Sequence, residues 1–421
     1  MVDTSISGIK PVETKKRIHI LDILRGFAIL GILMVNMPLF NSPFFSRLSN
    51  FTIWESFPNQ VADIFIRFFF EGKFYSLFSI LFGIGFFLFL QKQNESGKSI
   101  IPTFRRRLFY LLIFGVLHIT LLWFGDILLV YALFGFVMIL FKNKSTKGLI
   151  KWVVAMILIP VIITGLAVLL VSLGKMHPEG AEQIEASFAQ QEQQMRDLSE
   201  KALQVYSSGT FSEIFNMRLT EWKNTLGGFL FFYPNVFAMF LLGFYIAKKG
   251  WLFNIKENIT VFRKMFWYGL IFGIVGNGIY TYGMEYSSQM DMNPTTFISM
   301  LGFGFGVPAM TLFYIAAFAL AIEKGIFKWC TKRLAPVGRM ALTNYLLQSV
   351  ICTTLYFSYG FGLYGQVNIW QGIVLTLVIF VLQIFFSNLW LKRFHYGPME
   401  WLWRVLTYKK RQEFKIKKVL V

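Results

Sequence analysis

The sequence predicts an all-α fold, a polytopic transmembrane helical bundle of about ten spans with both termini cytoplasmic and one helical insert on the outer face. Three observations predict it. The chain is 55% hydrophobic and only 15% charged, more apolar side chain than a soluble core of 421 residues can bury. Apolar runs of span length recur almost end to end. The basic residues, which raise the formal charge to +19, fall in short clusters at the ends of those runs rather than in one patch. Such clusters read as topology signals that meet anionic headgroups, and they speak against nucleic-acid binding.

A helix needs about 20 apolar residues to cross the hydrocarbon. By that ruler the spans are 18–40, 74–90, 108–124, 127–141, 152–173, 226–247, 265–284, 297–322, 341–359 and 370–391. Each is helical because the bilayer core offers the backbone no other hydrogen-bond partner. The first is long enough to span and lacks an obvious small-residue cleavage pattern, so it reads as a span and not a removable leader. Residues 61–70 joined to 74–90 would make a helix about 45 Å long at 1.5 Å per residue, which is too long. A break is therefore expected around Glu71, Gly72 and Lys73, with the preceding segment an outer-face interfacial helix or a strongly tilted span. The spans 108–124 and 127–141 are short and share only Gly125 and Asp126, which predicts a tight hairpin with Asp126 at its outer tip.

The loops alternate in charge as the positive-inside rule requires. Lys15, Lys16 and Arg17 precede the first span, and Arg105, Arg106 and Arg107 follow the second. Further clusters are Lys142, Lys144 and Lys147; Lys248, Lys249, Arg263 and Lys264; Lys328, Lys332 and Arg333; and the run from Lys392 to Lys418. The intervening loops are neutral or acidic, with Glu285 and Asp291 in one. Residues 1–421 thus read as a single membrane domain, with 174–225 an extracytoplasmic hydrophilic insert, helical over 182–205, and 402–421 a basic cytoplasmic tail. The two cysteines, Cys330 and Cys352, imply no disulfide framework.

An ionisable side chain at the centre of a span costs about 2.5–3.5 kcal/mol on insertion scales, so each one is a functional candidate. Asp22 and Arg25 share a helical face: they form a self-neutralising ion pair, or Arg25 holds a negatively charged ligand group and Asp22 orients it. His118 sits about 15 Å into its span; it donates a hydrogen bond to a neighbouring helix, or it is a general base or acyl acceptor tuned by Asp126. Asn344 and Gln348 project from one face, for interhelical hydrogen bonding or to line a cavity. Glu400 can pair with Arg404 at helical spacing. No Walker-type glycine loop, zinc-spaced cluster or nucleophile elbow occurs, and no metal is expected.

The segments LDILRGFAILGILMVN (21–36), FSILFGIG (78–85), GVLHITLLWFGDILLVY (115–131), GRMALTNYLLQS (338–349) and GPMEWLWR (397–404) resemble the YeiB-like family of bacterial multi-pass membrane proteins, a domain of unknown function. The resemblance covers nearly the whole chain except the insert and implies a bacterial plasma-membrane location. That family is distantly similar to transmembrane acyltransferases of the heparan alpha-glucosaminide acetyltransferase type. What this implies is transfer of an acyl group from cytoplasmic acyl-CoA to a carbohydrate or lipid acceptor on the far side. His118 would then be the catalytic histidine, with Asp126 beside it. Arg25 and Arg339 would belong to the donor end, and Arg404 falls on the same side, with Asp22, Asn344 and Gln348 completing the candidate donor-binding set. The alternative is a transporter or exporter of a small molecule, in which the intramembrane charges line a pathway. The lipid bilayer is the expected surrounding, and a homodimer is left open.

Overall fold

The computed structural model describes residues 18–47, 49, 51–96, 99–286 and 292–416. The basic run Lys15, Lys16 and Arg17, the acidic Asp291 and the last residues of the basic tail, Lys418 among them, lie outside the described residues. The chain forms the helices α1 (His19–Asn41), α2 (Phe57–Phe69), α3 (Lys73–Ser96), α4 (Ile101–Leu121), α5 (Leu128–Met138), α6 (Thr146–Gly174), α7 (Pro178–Ser208) and α8 (Phe211–Thr225). It continues through α9 (Phe229–Lys248), α10 (Ile259–Tyr286), α11 (Pro294–Glu323), α12 (Lys328–Arg339), α13 (Ala341–Tyr356), α14 (Ile369–Trp390) and α15 (Pro398–Tyr408).

Seven stretches among the described residues are helices long and apolar enough to cross a membrane: α1, the stretch covering α2 and α3, α6, α9, α10, α11 and α14. Much of their apolar surface faces outward. Ile162, Leu166 and Leu170 of α6, Trp267, Ile271 and Phe272 of α10, and Val374, Leu382 and Phe385 of α14 are all exposed. So large an apolar exterior requires lipid, and the chain is a multi-pass membrane protein. Every apolar segment of the sequence lies on a helix, but three fall short as independent spans. The α4 helix carries Arg105, Arg106 and Arg107 near its start, α5 has 11 residues and α13 has 16.

The expected break is present: α2 ends at Phe69, α3 begins at Lys73, and Gly72 between them has φ +85°, a left-handed conformation that glycine adopts without a Cβ clash. Asn59, Ala62 and Ile66 of α2 are buried, while Phe57, Val61, Phe65 and Phe69 are exposed. The hairpin differs from expectation. The turn between α4 and α5 covers 122–127, and Asp126 is folded into the protein with its side chain fully buried, not set at an exposed tip. Its Oδ2 accepts a 2.6 Å hydrogen bond from the Leu129 backbone N–H, so the carboxylate caps the start of α5 where orphan donors and the helix dipole favour negative charge.

The insert is two helices, not one. Thr210 and Glu213 form a reciprocal capping box at the start of α8. The pair folds onto a second apolar core in which Tyr206, Ile214 and Met217 meet Phe40, Trp123, Cys352 and Tyr356. Within it the Tyr206 hydroxyl donates to Glu221 Oε2, and both side chains are buried.

Elsewhere the bundle depends on closely approaching backbones. A Cβ on Gly338 of α12 would overlap the Asp22 carbonyl oxygen of α1, and one on Gly26 would overlap the Leu334 carbonyl oxygen. A Cβ on Gly276 of α10 would stand 2.5 Å from Gly306 Cα of α11. Small residues at such crossings let dispersion and weak polar contacts act where lipid removes any hydrophobic drive between helices.

Two outcomes test this architecture. Gly338→Ala forces α12 off α1 and lowers the melting temperature in detergent by the equivalent of about 1–3 kcal/mol, the usual cost of overpacking. Burial pushes the Glu221 carboxyl up to about 8 from its ordinary 4.5, against the hydrogen bonds from Tyr206 and the Phe44 N–H and the charge of Arg218, which lower it. The folded chain thus keeps a proton that the unfolded chain releases, so stability falls as pH rises between those values. Glu221→Gln, which mimics the protonated acid, makes the melting temperature fall less than wild type between about pH 5 and about pH 8.

Candidate functional site

The α4 helix enters the bundle at its arginines and ends beneath the insert, and His118 sits near that far end with 1% of its surface exposed. Its Nε2 is 2.7 Å from Ser349 Oγ of α13, and its Nδ1 is 3.0 Å from Asp126 Oδ1. The Nδ1 contact is too bent for a good hydrogen bond, since neither atom has a well-aligned partner, so the carboxylate acts on the ring chiefly through its charge. The Tyr345 ring lies 5.1 Å from the imidazole, and its hydroxyl donates to the Gly125 carbonyl at 3.3 Å, pinning the turn that carries Asp126. Ser349 and Tyr345 are also buried. A hydroxyl on one ring nitrogen and a carboxylate at the other favour the tautomer with the proton on Nδ1, which leaves Nε2 to accept from the serine O–H. That is the order of nucleophile, base and orienting acid found in acyl-transfer triads, and it is recognised by geometry and not by sequence position.

The other face of α13 is occupied differently. Asn344 Nδ2 donates to Ser387 Oγ at 2.9 Å, and Gln348 Nε2 donates to Gln383 Oε1 at 2.9 Å and to the Ile29 carbonyl at 3.2 Å. Gln383 in turn donates to the Asn344 carbonyl at 2.9 Å. Asn344 and Gln348 therefore fasten α13 to α14 and α1, turned away from the His118 face.

At the start of α4 a cationic and aromatic group assembles. The Arg107 guanidinium lies 3.8 Å over the Trp403 ring, and the Trp403 indole N–H donates to the Arg107 carbonyl at 2.9 Å. Arg106 donates to the Thr407 carbonyl at 3.0 Å. Arg25 and Arg404 are within electrostatic reach of Arg107, and Arg404 lies 4.6 Å over the Tyr396 ring. Arg25 also bonds Asp22 at 2.8 Å, so the ion pair exists, while 31% of the Arg25 side chain is exposed. Arg339 donates to the His395 carbonyl at 3.3 Å. Glu400 fixes this group to the rest of the site: its two oxygens accept from the Leu342 N–H at 2.7 Å, the Thr343 N–H at 3.0 Å and the Thr343 hydroxyl at 2.6 Å, capping α13.

The structure thus unites His118 with Asp126 and gathers Arg25 and Arg404 around a common point. Asp22 is held by Arg25, Arg339 lies on α12, and Asn344 and Gln348 belong to a separate network. Sequence reasoning missed Ser349 as a partner of His118 and Arg107 as a member of the arginine group. The only signal for Ser349 was its place four residues after Tyr345 on one helical face. Among the described residues no group of three or more His, Cys, Asp or Glu side chains could hold a metal ion.

A family model described as "Protein of unknown function (DUF418)" matches residues 246–410. The chain is 34% identical over 422 residues to "Uncharacterized protein YxaH" of Bacillus subtilis (strain 168), covering 96% of this chain and 97% of that protein. It belongs to the YeiB-like DUF418 family. "Uncharacterized protein YeiB" of Escherichia coli (strain K12) is 30% identical over 395 residues, 92% of this chain and 95% of that one. The "Uncharacterized 39.9 kDa protein in amylase 3'region" of Bacillus acidopullulyticus is 29% identical over 413 residues, with 97% and 99% covered. The segment matched by the DUF418 model contains Tyr345, Ser349, Glu400 and Arg404. His118, Asp126 and Arg25 precede it and fall within the full-length similarity to YxaH.

Glu400 offers a test of this construction. Glu400→Ala removes the cap from α13 and costs about 1–2 kcal/mol, the scale of a lost N-cap, read as a lowered melting temperature in detergent.

Proposed function

We propose that this protein is an acyltransferase of the bacterial plasma membrane that moves an acyl group from cytoplasmic acyl-CoA to a carbohydrate or lipid acceptor outside. The reading rests on one observation, the contact of Ser349 Oγ with His118 Nε2 while Asp126 stands at Nδ1, all buried among helices. Asp126 also caps the start of α5, but a serine hydroxyl and a carboxylate set at the two nitrogens of one buried imidazole are the groups that acyl transfer needs.

The topology that accompanies the reading has ten crossings, by α1, α3, α4, α5, α6, α9, α10, α11, α13 and α14. Both termini are then cytoplasmic, and residues 174–225 lie outside. The positive-inside rule supports it, since Lys142, Lys144, Lys147, Lys248, Lys249, Lys328 and Arg333 all fall in alternate loops. In that orientation Arg25, Arg107 and Arg404 face the cytoplasm, where a CoA diphosphate would meet guanidinium donors and aromatic faces. His118 lies about 16 Å further along α4, at 1.5 Å per residue.

The chemistry is transfer through the serine. Ser349 Oγ attacks the thioester carbonyl and passes its proton to His118 Nε2; the C–S bond breaks, and His118 returns the proton to the departing thiolate. The acceptor hydroxyl then attacks the acyl-serine ester, giving its proton to His118, which delivers it to Ser349 Oγ. Asp126 stabilises the imidazolium in both steps.

A transporter is the second reading, favoured by the break at Phe70–Gly72, where Lys73 is wholly buried and donates to the Arg67 carbonyl at 2.8 Å. Turnover separates the two. Purified protein hydrolyses or transfers from acyl-CoA, His118→Ala and Ser349→Ala each lower the rate by about 10²–10⁴-fold, and acyl-CoA affinity is unchanged. Protein that neither binds nor consumes acyl-CoA but drives solute uptake into vesicles overturns the acyltransferase reading.

A further inference from the structure

Arg218, on α8 of the insert, is wholly buried. Its Nη1 donates to the Thr120 carbonyl at 2.5 Å, a bond that satisfies one orphan acceptor at the end of α4. Capping a helix uses one donor and leaves the rest of the guanidinium unexplained. Nε and Nη2 are buried with no hydrogen-bond partner. Those two N–H groups point the same way and form the side-on fork that matches two oxygens of a phosphate or carboxylate.

The nearest carboxylate does not fill that fork. Glu221 is three residues along α8, yet among the described residues its oxygens meet the Tyr206 hydroxyl and the Phe44 N–H, with no ion pair to Arg218. Burial also pushes the Glu221 carboxyl up to about 8, which weakens the negative charge it can set against the guanidinium. A buried guanidinium keeps its proton regardless, because its ordinary pKa is so high. A further donor in the same apolar core, Trp123 Nε1, is likewise buried with no partner. Tyr359, 43% exposed, is among the side chains that act electrostatically on Arg218.

We infer that the Nε–Nη2 edge of Arg218 is an oxyanion-binding subsite, and that it seats an anionic group of the acceptor at the end of α4 next to His118. Thr120, which Arg218 holds, is two residues beyond His118, and the backbone N–H groups of Leu122 and Trp123 both bond the His118 carbonyl. The subsite is therefore built on the same helix end as the base. That the oxyanion belongs to an acceptor rests on the acyltransferase reading; that an oxyanion binds there does not.

Binding is the readout, with sn-glycerol 3-phosphate as soluble probe, glycerol as neutral control, and nanodiscs of phosphatidylglycerol against phosphatidylcholine to present the same chemistry as a headgroup. Wild type binds glycerol phosphate or is stabilised by phosphatidylglycerol, but gains nothing from glycerol or phosphatidylcholine. Arg218→Gln weakens that binding at least tenfold and leaves acyl-CoA affinity unchanged. Should that variant fail to fold, Arg218→Lys keeps the charge without the fork and shows the same loss of ligand-induced melting shift. Equal binding by wild type and both variants, or no binding of either phosphate form by wild type, overturns the inference. Phosphate binding lost with Arg218 in a protein that never turns over acyl-CoA keeps the subsite and rejects only the acceptor.

Discussion

The site depends on the turn between α4 and α5, which must bring a carboxylate back to a histidine in a place closed to bulk solvent. The chain does this by giving Asp126 two partners of opposite character. One oxygen takes the Leu129 N–H at the start of α5, and the other lies against His118 Nδ1. A buried carboxylate with neither would be expelled or protonated. Here the Leu129 N–H and the positive end of α5 meet one oxygen, the imidazole meets the other, and the turn is pinned by the Tyr345 hydroxyl on the Gly125 carbonyl. Gly115, one turn of α4 before His118, keeps the path clear: a Cβ there would overlap the Leu129 backbone N and stand 2.9 Å from Asp126 Oδ2.

The second member of the site comes from α13, whose position is fixed from three sides. Glu400 caps its start, Asn344 and Gln348 tie it to α14, and Tyr345 reaches the turn. Adjacent residues on one helix thus have separate duties, because consecutive positions point about 100° apart. Asn344 and Gln348 supply the interhelical bonds that hold the helix, and Tyr345 and Ser349 face the histidine. Polar residues in a short span are therefore not all site residues, and only their faces distinguish them.

The apolar segments and the break at Gly72 were legible in the sequence because each depends on composition or on helix length, which are local properties. His118 and Asp126 were legible as costly residues eight positions apart, but their contact was not. A two-residue turn would leave Asp126 at an exposed tip, whereas the six residues of 122–127 fold it inward. Ser349 was hidden for a related reason: a serine in a span ordinarily bonds its own preceding turn, so its type carries little signal until a partner from another helix is known. The basic helix α12 was not legible because Lys328, Lys332 and Arg333 read as a loop, and the glycines that seat it against α1, Gly26 and Gly338, lie far apart in the sequence.

The α4 helix relates these parts to one another. Its 21 residues begin among Arg25, Arg107 and Arg404 and end under Arg218, with His118 in the last turn. Cations stacked on aromatic rings and cations buried under an insert are different solutions to one constraint, since a guanidinium at the margin of lipid needs either a π face or a fixed acceptor. Arg107 has Trp403, and Arg218 has the Thr120 carbonyl. A guanidinium held by one such contact still has donors to spare, so each end of α4 can present positive charge to a ligand while the helix between them stays apolar. The separation matters more than either cation alone. On the proposed acyltransferase reading, one anionic reactant would be held at each end without the two competing, with the imidazole lying closer to the insert than to the arginine group.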